Sequence, residues 1–242
     1  VTDAGDVSYQ SLIDEALFRP VRSGNAFEDT VSRLLQTIRL GIVEPGSALP
    51  SERELATRFS VSRDTVRDAM RELARAGYVV ARRGRYGGTF VCDVLPDPEP
   101  AAALSADELE DVLGLREILE VGGVRSAARR SLSAGERDAL WSRLKEVAAA
   151  SPEDYRRLDS RFHLTIAEAA GTPSLVSLVA DSRSRINGLL DRIPLLAPNI
   201  AHSNHQHEAI VVAILRGDEE KAAAAMLEHL AGSAALLRGF LG

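Results

Sequence analysis

Residues Ser51–Gly77 read SERELATRFSVSRDTVRDAMRELARAG. Ser51 followed three residues later by Glu54 has the form of a capping box. In that motif the serine hydroxyl accepts from the Glu54 N–H, and the glutamate reaches back to the Ser51 N–H. A short helix running to about Phe59 is expected from it. Ser62 is a second N-cap, and Val66, Ala69, Met70 and Leu73 recur at the spacing of one apolar helix face. Gly77 stands where that helix should stop. Two helices joined by so tight a turn are a helix-turn-helix.

The flanks complete the unit. Upstream, Phe27, Val31, Leu34, Leu35 and Ile38 form the inward face of a first helix, with Gly41 at its C-cap and a turn at Pro45-Gly46. Downstream, Tyr78–Arg82 and Thr89–Cys92 are expected strands. The basic turn between them contains Arg83, Gly84, Arg85, Tyr86, Gly87 and Gly88. Helix, short helix, turn, helix and two-stranded wing is the winged helix-turn-helix order, in which the third helix enters the major groove of DNA. With Val66, Ala69, Met70 and Leu73 inward, Arg63, Asp64, Arg67 and Arg71 face outward, and Ser62, Arg63, Asp64 and Thr65 occupy the groove-facing end. An arginine there can bond guanine bidentately, while Ser62, Thr65 and the terminal amides suit phosphate. The wing arginines Arg82, Arg83 and Arg85 are expected on the backbone or in the minor groove, with Gly84 allowing close approach.

The net charge of −6 first argues against a nucleic-acid partner. Residues 51–90, however, hold nine arginines against five acids, a balance of +4, so the remainder carries −10. A basic segment on an acidic body suits a chain that meets phosphate with one part only. A solvated basic face explains the charge equally well, and the order of elements argues against that reading.

Hydrophobic residues make up 45% and aromatics only 5%, a bias toward helices. The single cysteine, Cys92, excludes an internal disulfide and fits a reducing cytosol. No apolar run approaches the roughly 20 residues of a membrane span, and the polar start Val1–Gln10 does not read as a signal peptide. The expected location is cytoplasmic.

The expected organisation is a polar lead over 1–24, with a short helix at Ser11–Phe18 tucking Leu17 and Phe18 onto the next domain. The winged helix-turn-helix then covers 25–92, a proline-rich linker 93–104, and an all-helical domain 105–242. Within the last, helices are expected over about 107–130, 134–150, 153–170, 174–191, 199–216 and 218–239, an antiparallel bundle of about six.

All five histidines lie in this second half. Asp159 and His163 are four residues apart and so share a helix face. His207 and His229 fall on two later helices, and a bundle can converge all four side chains. One carboxylate and three imidazoles suit a divalent cation, zinc first, with nickel or manganese also accommodated. Taken singly, each histidine reads more readily as a surface or satisfied core residue than as a ligand, and His202 and His205 are assigned to that reading.

The segments Ala48–Ala56, Val61–Arg67 and Arg82–Val91 resemble the signature of the GntR family of transcription regulators. That resemblance implies DNA contacts from Arg53, Ser62, Arg63, Thr65, Arg67, Arg83 and Gly84, with Asp64 at a variable position that helps set which operator is read. Ser60 departs from a frequent glycine. The segment Asp159–Gly171, with Ser203–Ile210 and Ala225–Leu230, resembles the FadR-type C-terminal ligand-binding domain. It implies a metal held by Asp159, His163, His207 and His229, and Arg116 near the pocket of a small carboxylate effector. Arg116 as a surface salt-bridge partner is the alternative. Thr172 and Gln206 depart from a usual Asn and Glu.

The expectation is thus a homodimeric, ligand-responsive repressor of double-stranded operator DNA, without catalytic residues and without a membrane partner. Two other readings remain open. One is a helical metalloenzyme fused to a DNA-targeting module, against which stands the lack of a convincing general base. The other is a regulator with a purely structural metal.

Overall fold

The computed structural model describes residues 17–18, 26–84, 87–96 and 105–241. The expected short helix at Ser11–Phe18, apart from Leu17 and Phe18, lies outside them, as do Arg85, Tyr86 and linker residues 97–104. The chain divides into two compact units, one within 14–97 and one within 98–242.

In the first unit the order is α1 (Ala26–Arg39), α2 (Glu52–Phe59), α3 (Arg63–Arg75), β1 (Val79–Arg82) and β2 (Gly88–Val91). Its core gathers Leu34, Ile38, Leu55, Phe59, Val66 and Leu73, and Phe18 stacks on Phe59 with ring centroids 5.5 Å apart. Each such side chain, fully buried, stabilises the fold by roughly 1.5–3 kcal/mol.

The inward face of α1 differs from expectation. Thr30 and Thr37 are buried beside Leu34 and Ile38, whereas Phe27 is exposed and Val31 and Leu35 are half-buried. Burial of the threonines is possible because Thr30 Oγ1 donates to Ala26 O (2.6 Å) and Thr37 Oγ1 to Arg33 O (2.8 Å), which satisfies each hydroxyl within its own helix.

The capping box of α2 is half formed. Ser51 Oγ accepts from the Glu54 N–H at 3.3 Å, but the Glu54 carboxylate turns outward to Arg58 Nη2 at 2.7 Å. Competition from a guanidinium one turn ahead overrides the reciprocal bond. In the turn, Ser60 has φ +56°, the one left-handed non-glycine among the described residues. The place where a glycine is frequent is therefore one whose backbone favours glycine.

Ser62 caps α3, with Oγ accepting from the Thr65 N–H at 3.0 Å, and Val66, Ala69, Met70 and Leu73 are buried. The wing strands pair antiparallel in the register Val79↔Val91 to Arg82↔Gly88. Residues ahead of α2 extend this ribbon, since Leu49 N–H donates to Thr89 O (2.8 Å) and Val91 N–H to Ser47 O (2.9 Å).

The second unit is six helices: α4 (Ala106–Arg129), α5 (Ala134–Ala148), α6 (Pro152–Ala169), α7 (Pro173–Leu190), α8 (Ala197–Leu215) and α9 (Glu219–Leu241). Ser105–Glu108 and Ser133–Glu136 form complete capping boxes at the starts of α4 and α5. α8 begins at Ala197, two residues before the expected start at 199, with Pro198 in its first turn. Proline is tolerated there because the first-turn N–H groups have no partner within the helix.

α6 occupies the middle of this unit. It packs against α4, α5 and α7, and every residue from Asp159 to Ala169 is buried. Helix α6 thus brings polar side chains into the interior, which only partners already there can make tolerable.

Candidate functional site

At the start of α3, Ser62, Arg63 and Asp64 are exposed, and Thr65 and Arg67 are half-buried. Arg67 is not free. Its Nη1 bonds Asp64 Oδ1 at 2.8 Å and its Nε bonds Glu52 Oε2 at 3.2 Å, tying α3 to α2. Asp64 thus positions the adjacent arginine. Arg53, Arg63 and Arg83 are exposed and their guanidiniums make no ion pair among the described residues. Ser62 Oγ is engaged by the Thr65 N–H and lies 2.8 Å from Thr65 Oγ1. Gly84 has φ +117°, and a Cβ there would meet nothing within 4 Å, so backbone conformation rather than space demands glycine. Arg82 lies over the Phe90 ring, 4.5 Å from its centroid.

In the second unit, α6, α8 and α9 bring Asp159, His163, His207 and His229 together, all buried, with one ligand atom from each within 4.8 Å of the others. The separations are His163 Nε2 to His229 Nε2, 3.2 Å, and His207 Nε2 to His229 Nε2, 3.3 Å. Asp159 Oδ1 lies 3.3 Å from His207 Nε2 and 3.7 Å from His163 Nε2. Bonds of about 2.1 Å around one cation would place neighbouring ligand atoms about 3.0–3.4 Å apart. Three of the four separations fall in that range and the fourth is slightly longer, so the cluster can hold a metal ion.

The proton inventory makes the same point. Glu120 Oε2 lies against His163 Nδ1, and Gln206 Oε1 lies 3.3 Å from His229 Nδ1. In a neutral imidazole such an acceptor holds the proton on Nδ1 and leaves Nε2 its lone pair. With both rings neutral, as ligation requires, His163 Nε2 and His229 Nε2 would face each other as two lone pairs at 3.2 Å. A cation among the four ligands would take up both lone pairs.

Electrostatics prepare the ligand set. Burial pushes the His207 and His229 pKa values down, His229 well below the ordinary range, so both are neutral donors at pH 7. For Asp159, burial opposes ionisation, but the Arg183 and His163 charges prevail and hold its carboxyl well below the usual range. Burial likewise opposes ionisation of Glu120, and His163 and Arg116 overcome it.

Arg116 is neither exposed nor on the surface. It is 2% exposed, bonds Glu120 Oε1 through Nε (2.9 Å) and Ser233 Oγ through Nη1 (2.8 Å). The surface salt-bridge alternative is thereby corrected: Glu120, one turn along α4, turns Arg116 inward. Two participants, Glu120 and Arg183, escaped the sequence reading, and a third, Gln206, entered it only as a departure from a usual Glu. Glu120 orients His163, Arg183 of α7 contacts Asp159, and Gln206 links His229 to the exposed His202, whose Nε2 is 3.0 Å from Gln206 Nε2. The rhythm of α7 held a signal, because Arg183 interrupts the buried series Val176, Val179, Ala180 and Ile186.

Residues 27–91 match the family described as "Bacterial regulatory proteins, gntR family", and residues 111–232 match the FCD domain, the FadR-type C-terminal domain. The chain belongs to the GntR family. This GntR-family chain is 30% identical over 224 residues to the regulatory protein assigned to the L-lactate dehydrogenase operon of Escherichia coli (strain K12), covering 87% of this chain and 84% of that protein. It is 30% identical to the transcriptional regulator LutR of Bacillus subtilis (strain 168), over 84% of this chain and 97% of the relative. With the transcriptional repressor NanR of Salmonella arizonae it shares 29% over 240 residues, 92% of this chain and 88% of the relative. Among solved structures, Escherichia coli McbR/YncC has the same fold, with a TM-score of 0.56 at 17% identity, over 90% of this chain and 99% of that one. The family and these relatives are transcription regulators, not enzymes. No helix among the described residues is long and apolar enough to cross a membrane.

Proposed function

We propose that this GntR-family regulator is a homodimeric repressor whose operator affinity is set by a small carboxylate bound at a divalent metal in the helical unit. Asp159, His163, His207 and His229 hold the cation, zinc first among the candidates. When bound, such a cation offers open positions to an anionic oxygen. The effector lies within reach of that position and of the buried arginines Arg116 and Arg183. Arg53, Arg63, Arg67 and Arg83, with the amide-rich start of α3 at Ser62–Thr65 and the turn at Gly84, meet the operator, and Asp64 sets the direction of Arg67. A dimer matches the two-fold symmetry of palindromic operators. Effector and DNA are coupled because each favours one packing of the bundle helices over another.

One observation carries the reading: three imidazole Nε2 atoms and one carboxylate oxygen converge, all buried. The regulatory names of the relatives support the rest, and the repressor NanR supports the sign. The test combines elemental analysis, native mass spectrometry and gel shifts on a selected operator. One divalent ion per chain is expected, lost in His207→Ala, with operator affinity changed by a carboxylate such as L-lactate. Wild type free of metal after metal-replete expression, or operator binding identical with and without every small carboxylate tried, would sink the proposal.

A further inference from the structure

Arg183 is fully buried, at 0% exposure. One of its nitrogens, Nη2, contacts Asp159 Oδ2 and lies 3.3 Å from Ser160 Oγ. The other two, Nε and Nη1, have no hydrogen-bond partner among the described residues. One turn along α7, Asn187 repeats the pattern: its Nδ2 donates to Ser160 Oγ at 2.8 Å, and its Oδ1 is unpartnered. Buried donors on a charged group are almost always matched, and a guanidinium with two unmatched nitrogens points to an acceptor that arrives from elsewhere.

Arg116 offers a contrast in the same interior, because its Nε and Nη1 are committed to Glu120 and Ser233. The local charge agrees. The carboxylates of Asp159 and Glu120 balance the guanidiniums of Arg116 and Arg183, so a divalent cation among the ligands leaves two positive charges in a low-dielectric space. Such a surplus calls for an anion.

We infer that Arg183, through Nε and Nη1, is the anchor for the carboxylate of the effector, and that Arg116 is a positioning residue that holds Glu120 on His163. This rests on the carboxylate-sensing reading above. Arg183 keeps Asp159 in place with one nitrogen and presents the other two to the ligand, so the same side chain reports on both metal ligand and effector.

The experiment uses the full-length, metal-loaded protein with acetate, L-lactate and succinate as probes and inorganic phosphate as the comparison anion. Binding is read by calorimetry and by thermal shift, with metal content measured alongside. Arg183→Lys retains a positive charge beside Asp159 but lacks the two donors. The expected result is a carboxylate Kd raised tenfold or more in R183K with metal content unchanged, and raised less than threefold in R116K. Wild-type affinity in R183K overturns the assignment while leaving the carboxylate-sensing reading intact. Loss of metal in R183K also overturns it, because Arg183 would then act only through Asp159. Failure of the wild type to bind any carboxylate overturns both, and binding of phosphate alone overturns the ligand class. Should R183K not fold, a crystal of the wild type soaked in L-lactate decides: a carboxylate on Arg183 supports the assignment, and one on Arg116 instead refutes it.

Discussion

Replacing Asp159 by asparagine in metal-free protein isolates the ion pair at the centre of the bundle. Asparagine keeps the shape and an acceptor oxygen but removes the charge that faces Arg183 Nη2 through Oδ2. Arg183 is fully buried, so its charge loses the nearest of the carboxylates that stabilise it, and Glu120 remains as the next. Breaking one side of a buried pair costs about 3–5 kcal/mol, and the residual attraction of Glu120 argues for the lower end, about 3 kcal/mol. With a urea slope of about 2 kcal/mol/M, the midpoint should fall by about 1.5 M. The chain has one tryptophan, Trp141, which lies in α5, so its fluorescence reports unfolding of the bundle. The assay is a urea titration of chelator-treated wild type, Asp159→Asn, Arg183→Met and the double variant. The double variant should be far more stable than the two single losses added together, because it leaves no unpaired charge. A midpoint for Asp159→Asn equal to that of wild type, or additive losses in the double variant, would refute the reasoning.

Three further outcomes follow from other parts of the chain. Ser60→Gly should raise the stability of the first unit by about 1 kcal/mol by relieving the left-handed backbone, as read by its thermal midpoint; an unchanged or lowered midpoint counts against strain at that turn. Arg83→Ala should weaken all DNA sequences alike and reduce the salt slope by about 1, whereas Arg63→Ala should cost about 1–3 kcal/mol at one operator position and relax preference there, both measured by binding titrations on operator variants. Metal-free protein should lose stability as pH falls. His207 and His229 have folded pKa values below the ordinary 6.5, so the unfolded chain takes up protons first and their contribution, complete above that value, declines beneath it. Asp159, whose folded value lies below 3.8, adds a second loss only in stronger acid. A thermal midpoint flat between pH 8 and pH 5 would contradict the buried, neutral state of the two imidazoles.

The parts of the fold legible in the sequence are those written in local chemistry. Ser62 capping Thr65 and the inward series Val66, Ala69, Met70 and Leu73 follow from residues three or four apart. The first wing strand starts one residue later than expected, at Val79, and the second lies one residue earlier, at Gly88–Val91. The four metal-type ligands were legible through helix spacing and motif resemblance. Their supports were not, because Glu120 meets His163 across 43 residues and Arg183 meets Asp159 across 24, distances over which no periodicity speaks. The same holds on α1, where Thr30 and Thr37 read as polar until their hydroxyls are seen bonded to their own helix.

The burial of α6 from Asp159 to Ala169 has a mechanical consequence. A helix with one wet side can roll or slide and let water fill the space it leaves. One walled in by α4, α5 and α7 can do neither without shifting its neighbours, since close-packed interiors transmit strain rather than absorb it. Asp159 and His163 are fastened to that rod, so a pull on either is felt along its length and by the helices around it. A chemical event the size of one carboxylate thereby acquires the lever arm of an eighteen-residue helix.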